Sequence, residues 1–222
     1  MVQRAKSLTT QVFEELLDDI VLGRRASGTM LSEKAVSQEF GTSKTPVREA
    51  FVQLQGLGLV DVLPQRGCLV FSPTVEQVRH LSEMRVILEC AAMELAMERA
   101  GPATIKALRK HYDRMESRME AGKHTEFGRE DNAFHRVFFE HAGNPALIEA
   151  HGLFAPRLQA LRTNLQSSDG YLLSKAQADH LAIIEGLENA DMDAATTALK
   201  KHVSRMIDKY ETEGVLLSSA TG

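Results

Sequence analysis

Asp131 and His135 stand four residues apart, on one face of a segment whose apolar positions (Phe127, Phe134, Phe138, Ala142) recur at helical spacing. Two further histidines occupy the same kind of position. His180 shares a stripe with Leu173, Ile184 and Leu187, and His202 with Ala195, Leu199 and Met206. Each polar side chain would be costly to bury without a partner. Singly, each reads as a core residue with a hydrogen bond. Together, one carboxylate and three imidazoles from three helices form a donor set for a divalent transition metal of the zinc, nickel or manganese kind. Four protein ligands would leave an octahedral ion two open positions. Arg85 lies in the middle of another apolar stripe (Val78, Leu81, Leu88, Ala92, Leu95). It could pair Asp131 or Glu89, or hold the carboxylate of an acid that also chelates the metal.

These residues need a helical scaffold, and the punctuation of the chain supplies one. Gly101-Pro102, Gly122, Gly143-Asn144-Pro145, Ser168-Asp169-Gly170 and Asn189-Ala190-Asp191 separate six helices expected near 75–99, 102–121, 125–142, 145–168, 171–189 and 191–212. No strand signal interrupts them. Residues 74–222 therefore read as an all-helical, six-helix antiparallel bundle that binds metal and effector.

The first 73 residues read differently. A helix is expected from Leu8 to Leu22, with Leu8, Val12, Leu16 and Ile20 along one stripe. A second short helix starts after Ser32 and stops at Gly41. A third follows Ser43 as N-cap, with Pro46 in its first turn, where a missing N–H costs no intrahelical bond. Two short β-like runs, 59–63 and 67–71, flank the turn Pro64-Gln65-Arg66-Gly67. Helix, helix, turn, helix and hairpin make a winged helix-turn-helix. Its third helix would present Ser43, Lys44, Thr45 and Arg48 at its N-terminal end, where free N–H groups favour phosphate and Arg48 suits guanine. The overall class is mainly α.

The segment from Leu31 to Val70, "LSEKAVSQEFGTSKTPVREAFVQLQGLGLVDVLPQRGCLV", resembles the DNA-binding domain of the GntR family of bacterial transcription regulators. The resemblance implies that Lys34, Ser43, Lys44, Thr45 and Arg48 face DNA, and that Arg66 and Gly67 reach it from the wing tip. Lys44 stands where the family usually has arginine, and Ala35-Val36 replaces a common Leu-Ala. Residues 75–212 resemble the helical effector domain, of FCD type, found in the FadR subfamily. The matching stretches are "EMRVILECAAMELA", "DNAFHRVFFEHAGNPAL", "DHLAIIEGLENAD" and "AATTALKKHV". That likeness places Asp131, His135, His180 and His202 on the metal ligands and Arg85 on the effector carboxylate. Six helices rather than seven favour the VanR-like group.

The expected function is therefore a cytoplasmic DNA-binding regulator, by resemblance a repressor. It would bind a palindromic operator on double-stranded DNA as a homodimer and respond to a small organic or sugar acid. Two other readings stay open: a metal-dependent enzyme in the helical domain, and a regulator whose polar cluster is purely structural. Net charge is −4, with 8 Lys/Arg and 8 Asp/Glu in residues 1–73 against 18 and 22 in the remainder, so any basic face is local. The chain has no apolar run long enough to span a membrane and no apolar leader at its start. Its two cysteines, Cys68 and Cys90, lack metal-like spacing and read as reduced thiols.

Overall fold

The computed structural model describes residues 6–165 and 170–219. They fall into two compact units: Met1–Ser72 with Leu153–Asn164, and Pro73–Gly152 with Leu165–Gly222.

The first unit opens with helix α1 (Leu8–Val21), followed by strand β1 (Met30–Leu31), α2 (Glu33–Glu39), α3 (Lys44–Gly56) and a hairpin of β2 (Val60–Leu63) and β3 (Gly67–Val70). Strand β3 lies between β1 and β2, antiparallel to both. Strand β1 was absent from the sequence expectation, because two residues are too few to show an alternation. The core gathers Val12, Leu16 and Ile20 of α1, Val36 of α2, Val47, Ala50, Phe51 and Leu54 of α3, and Val60, Cys68 and Val70 of the sheet. Burying each of the larger ones contributes about 1.5–3 kcal/mol. Leu8, expected on the inner stripe of α1, is instead 58% exposed at the first turn.

Gly67 explains the tightness of the wing. Its φ is 107°, and a Cβ there would overlap the carbonyl oxygen of Leu31. Only glycine lets β1 approach the hairpin this closely.

The second unit is helical. It contains α4 (Val75–Glu120), α5 (His124–Ala142), the start of α6 (Pro145–Leu165), α7 (Gly170–Glu188) and α8 (Met192–Ser219). Helix α4 starts with a capping box: the Thr74 hydroxyl accepts from the Gln77 N–H, and the Gln77 side chain accepts from the Thr74 N–H. The break expected at Gly101-Pro102 is reduced to a single non-helical residue, Ala100 (φ −147°, ψ 31°). Pro102 sits in the first turn of the resumed helix, where its lack of an N–H costs nothing. Among the described residues the expected six helices thus appear as five, with a kink marking the first junction. The segment 166–168, expected at the end of α6, lies outside the described residues.

Helix α4 packs along α5, α7 packs against α8, and both α7 and α8 lie on α4. The α7–α8 approach is close at Gly186, where a Cβ would stand 2.7 Å from the Ala195 nitrogen. That contact fixes the two helices carrying His180 and His202.

Candidate metal centre and nucleic-acid interface

The second unit brings the four candidate ligands together. Asp131 and His135 come from α5, His180 from α7 and His202 from α8. One ligand atom of each lies within 4.8 Å of all the others, and all four residues are buried. Asp131 Oδ1 is 3.1 Å from His180 Nε2, and 3.9 Å from both His135 Nε2 and His202 Nε2. The Nε2 atoms of His135 and His202 are 3.1 Å apart. Ligands bonded at about 2.1 Å to one ion stand roughly 3 Å apart when adjacent and roughly 4 Å apart when opposite. The donor spacings of 3.1 and 3.9 Å fall within this range.

The local chemistry also suits an ion. Burial pushes the His135 imidazolium down, to a pKa of about 4, although Glu89 opposes the shift. Burial lowers His202 well below the ordinary imidazole value, and His180 and His135 beside it push the same way. Both rings are therefore neutral near pH 7 and keep lone pairs for a cation. Neither ring nitrogen of His180, nor Nδ1 of His202, has an aligned hydrogen-bond partner among the described residues. Buried polar atoms left this way are rare in folded proteins, and a cation at the centre would satisfy His180 Nε2, the ring nitrogen that faces Asp131. Phe134 flanks His135 and His180, with ring centroids 5.4 and 4.6 Å away, and closes the site from one side.

Arg85 and Glu89 border the cluster from α4. Both are 1% exposed. Arg85 Nε donates to Glu89 Oε1 at 2.6 Å, and the other carboxylate oxygen, Oε2, lies 2.7 Å from His135 Nδ1. Burial alone would raise the Glu89 carboxyl. Arg85 and His135 outweigh it and hold the group well below the usual carboxylate range. Arg85 therefore pairs Glu89, one of the two partners open to it. The inner face of α4 runs through Val78, Leu81, Arg85, Glu89, Ala92 and Met93, taking Glu89 in place of the expected Leu88. Glu89 is the site residue that stripe reading missed. Its signal was the Arg-x-x-x-Glu spacing, which usually marks an exposed helix pair. His151 stacks on Phe139 at 4.2 Å, away from the four ligands.

In the first unit, Lys34, Ser43, Lys44, Thr45, Arg48 and Arg66 are all exposed. Gly67 is buried, which corrects its expected place at the wing surface: it is held under β1 by the close approach described above. Arg48 Nε donates to Glu33 of α2 at 2.9 Å. That pair raises the Arg48 guanidinium and lowers the Glu33 carboxyl.

The start of α3 departs from those of α1, α2 and α4. Ser7, Ser32 and Thr74 each cap their helix by accepting from the backbone N–H three residues on, at Thr10, Ala35 and Gln77. Ser43 has the extended backbone of an N-cap but makes no such bond. The residue three positions on is Pro46, which has no N–H to give. The proline thus leaves the Ser43 hydroxyl at the helix end uncommitted to its own backbone.

A winged helix with an exposed basic helix start, joined to a helical unit with a buried ligand cluster, defines a DNA-binding regulator with a sensor domain. Residues 8–70 match the family model described as bacterial regulatory proteins, gntR family, and residues 80–205 match the FCD domain. The chain is 31% identical over 199 residues to the HTH-type transcriptional repressor RspR of Escherichia coli K12, covering 88% of this chain and 86% of that one. It is 28% identical over 206 residues to a protein of Paenarthrobacter nicotinovorans described as a probable D-xylose utilization operon transcriptional repressor, covering 89% and 86%. Among solved structures it is similar in fold to E. coli McbR/YncC, with a TM-score of 0.76, 21% identity and coverage of 94% and 99%. A GntR regulator from Rhodococcus sp. RHA1 gives a TM-score of 0.76 at 22% identity, covering 92% and 97%. The chain belongs to the GntR family of bacterial transcription regulators and carries an FCD effector domain, the arrangement of the FadR-type subfamily. The enzyme reading falls with this assignment. No helix among the described residues is long and apolar enough to cross a membrane.

Proposed function

We propose that this protein is a cytoplasmic transcriptional repressor whose operator affinity is set by a small organic or sugar acid bound at a metal centre. Asp131, His135, His180 and His202 hold a divalent transition metal of the zinc, nickel or manganese kind. The metal supplies open coordination positions that chelate the acid, and Arg85 receives its carboxylate. The observation that carries this reading is the buried Asp/His cluster beside Arg85, whose Nη2 is buried with no hydrogen-bond partner among the described residues. A planar carboxylate at Nη2 would satisfy the guanidinium without displacing Glu89 from Nε.

On DNA, Lys34, Lys44, Thr45 and Arg66 would contact phosphates, Ser43 would add its uncapped hydroxyl, and Arg48 would read a base edge. One α3 reads a half-site, so a palindromic operator on double-stranded DNA and a homodimer go together. The effector acts by binding one arrangement of the dimer better than the other, and release from DNA on binding is the expected direction. The relatives' descriptions as repressors, one of a D-xylose utilization operon, support repression and a sugar-derived effector.

Metal analysis of the purified chain tests the centre. About one equivalent of metal per chain is expected in the wild type, with loss in His180→Ala at unchanged helix content. A wild type that takes up no zinc, nickel or manganese under non-chelating conditions would leave the cluster a purely structural one.

A further inference from the structure

The position of Glu89 carries an inference that rests on the metal reading above and deepens it. Its two carboxylate oxygens face two different halves of the site. Oε1 accepts from Arg85 Nε at 2.6 Å, and Oε2 lies 2.7 Å from His135 Nδ1. All three side chains are at most 2% exposed, so water does not share these contacts. We infer that Glu89 is a positioning residue which fixes His135 in its Nδ1-protonated tautomer, presents the His135 Nε2 lone pair to the metal, and holds Arg85 in register with it.

A neutral imidazole has one N–H and one lone pair. An anionic oxygen 2.7 Å from Nδ1, close but not aligned along a hydrogen bond, favours the N–H there, which leaves the lone pair on Nε2, the atom facing Asp131 and His202. The same carboxylate occupies Nε of Arg85 and leaves Nη2 for a ligand. A carboxylate does both jobs because both of its oxygens accept. An amide in its place cannot. With the amide oxygen toward Arg85, its NH₂ meets His135 Nδ1 and drives the ring proton onto Nε2, where it blocks the metal. With the amide reversed, two donors face each other at Arg85 Nε. Carboxylates that orient a ligating histidine typically change metal affinity by about 10–100-fold when removed.

The test uses the full chain with zinc and cobalt as probes, and Glu89→Gln and Glu89→Asp as variants. Nitrogen-15 histidine spectra of the metal-free wild type, assigned with His135→Gln, should show His135 protonated on Nδ1. Glu89→Gln should move that proton to Nε2. Chelator competition should then give metal binding about 10–100-fold weaker in Glu89→Gln, with an altered cobalt absorption spectrum, at unchanged circular dichroism. Glu89→Asp, which keeps both acceptor oxygens, should recover part of the loss and serves as the second variant if Glu89→Gln does not fold. A wild-type His135 protonated on Nε2 overturns the inference. So does a folded Glu89→Gln that binds cobalt with wild-type affinity and spectrum. If the wild type binds no metal at all, the proposed centre fails, and the tautomer spectra still decide the role of Glu89.

Discussion

The two candidate sites treat charge in opposite ways. In the winged unit, Arg48 and Glu33 pair on the surface, with side chains 63% and 28% exposed, and Lys34, Lys44 and Arg66 face solvent. In the helical unit, Arg85, Glu89 and Asp131 are sealed in the core. Exposed pairs are screened and contribute little to stability, so the winged unit can lend its charges to DNA without loss of fold. Buried charges are committed to one another, so removing one leaves others unsatisfied. The candidate DNA-contact surface is thus separable from its scaffold, and the candidate metal centre is part of its scaffold.

The sharpest way to probe that contrast is Arg48→Ala. Operator affinity should fall on the order of 10- to 100-fold in a mobility-shift titration, with weakened discrimination between operator variants. Thermal stability and metal content should stay at wild-type values; loss of both would show that the winged unit is no more separable than the helical one. Gly186→Ala probes the other side. A Cβ 2.7 Å from the Ala195 nitrogen must push α7 and α8 apart, costing about 1–3 kcal/mol in a denaturant melt. Because His180 and His202 ride on those helices, metal affinity should fall with stability.

Acid sets the two units further apart. Burial holds His135 at about 4 in the folded chain, against an ordinary value near ~6.5. Below the ordinary value the unfolded chain takes a proton that the folded chain refuses. The stability it contributes is therefore full above that value and is lost as pH falls toward about 4. The metal-free protein should lose melting temperature across this window, and added metal should shift the loss to lower pH. A flat profile from pH 7 to 4 would contradict the burial of neutral imidazoles. The smallest effect concerns the caps. Ser32→Ala should cost about 1 kcal/mol, because the hydroxyl accepts the Ala35 N–H. Ser43→Ala should cost less than ~0.5 kcal/mol and still weaken operator binding, because its hydroxyl holds no backbone group.

How much of this was legible in the sequence differed between the units for physical reasons. The helix starts of the winged unit are written in contiguous cap and turn residues, and α1, α2 and α3 follow them closely. The uncapped state of Ser43 was readable in principle, from a proline three residues on. Strand β1 was not, since its pairing with β3 is set by residues nearly forty positions away. The four candidate ligands could be singled out because each sits on an apolar stripe, where a polar residue stands out. Glu89 was legible only as one of two partners for Arg85; its approach to His135 was not, because Arg85 and Glu89 at i and i+4 look the same on a wet surface as in a dry core. The burial of Gly67 depends on the Leu31 carbonyl above it, a contact between distant segments that local spacing does not encode.

The composition of the first unit has a consequence for how the protein is made. Its core includes Ala160 of α6, and the Thr163 hydroxyl donates to the Val21 carbonyl at 2.8 Å, so residues 153–164 are part of its fold. A ribosome that has finished the wing at residue 72 must add about 90 more residues, on the order of 5–20 s of synthesis, before that piece exists. By then α4, α5 and two of the four candidate ligands, Asp131 and His135, have already been made. The nascent chain therefore holds no finished DNA reader ahead of its sensor, and a gene fragment ending at residue 72 encodes a reader missing part of its own interior.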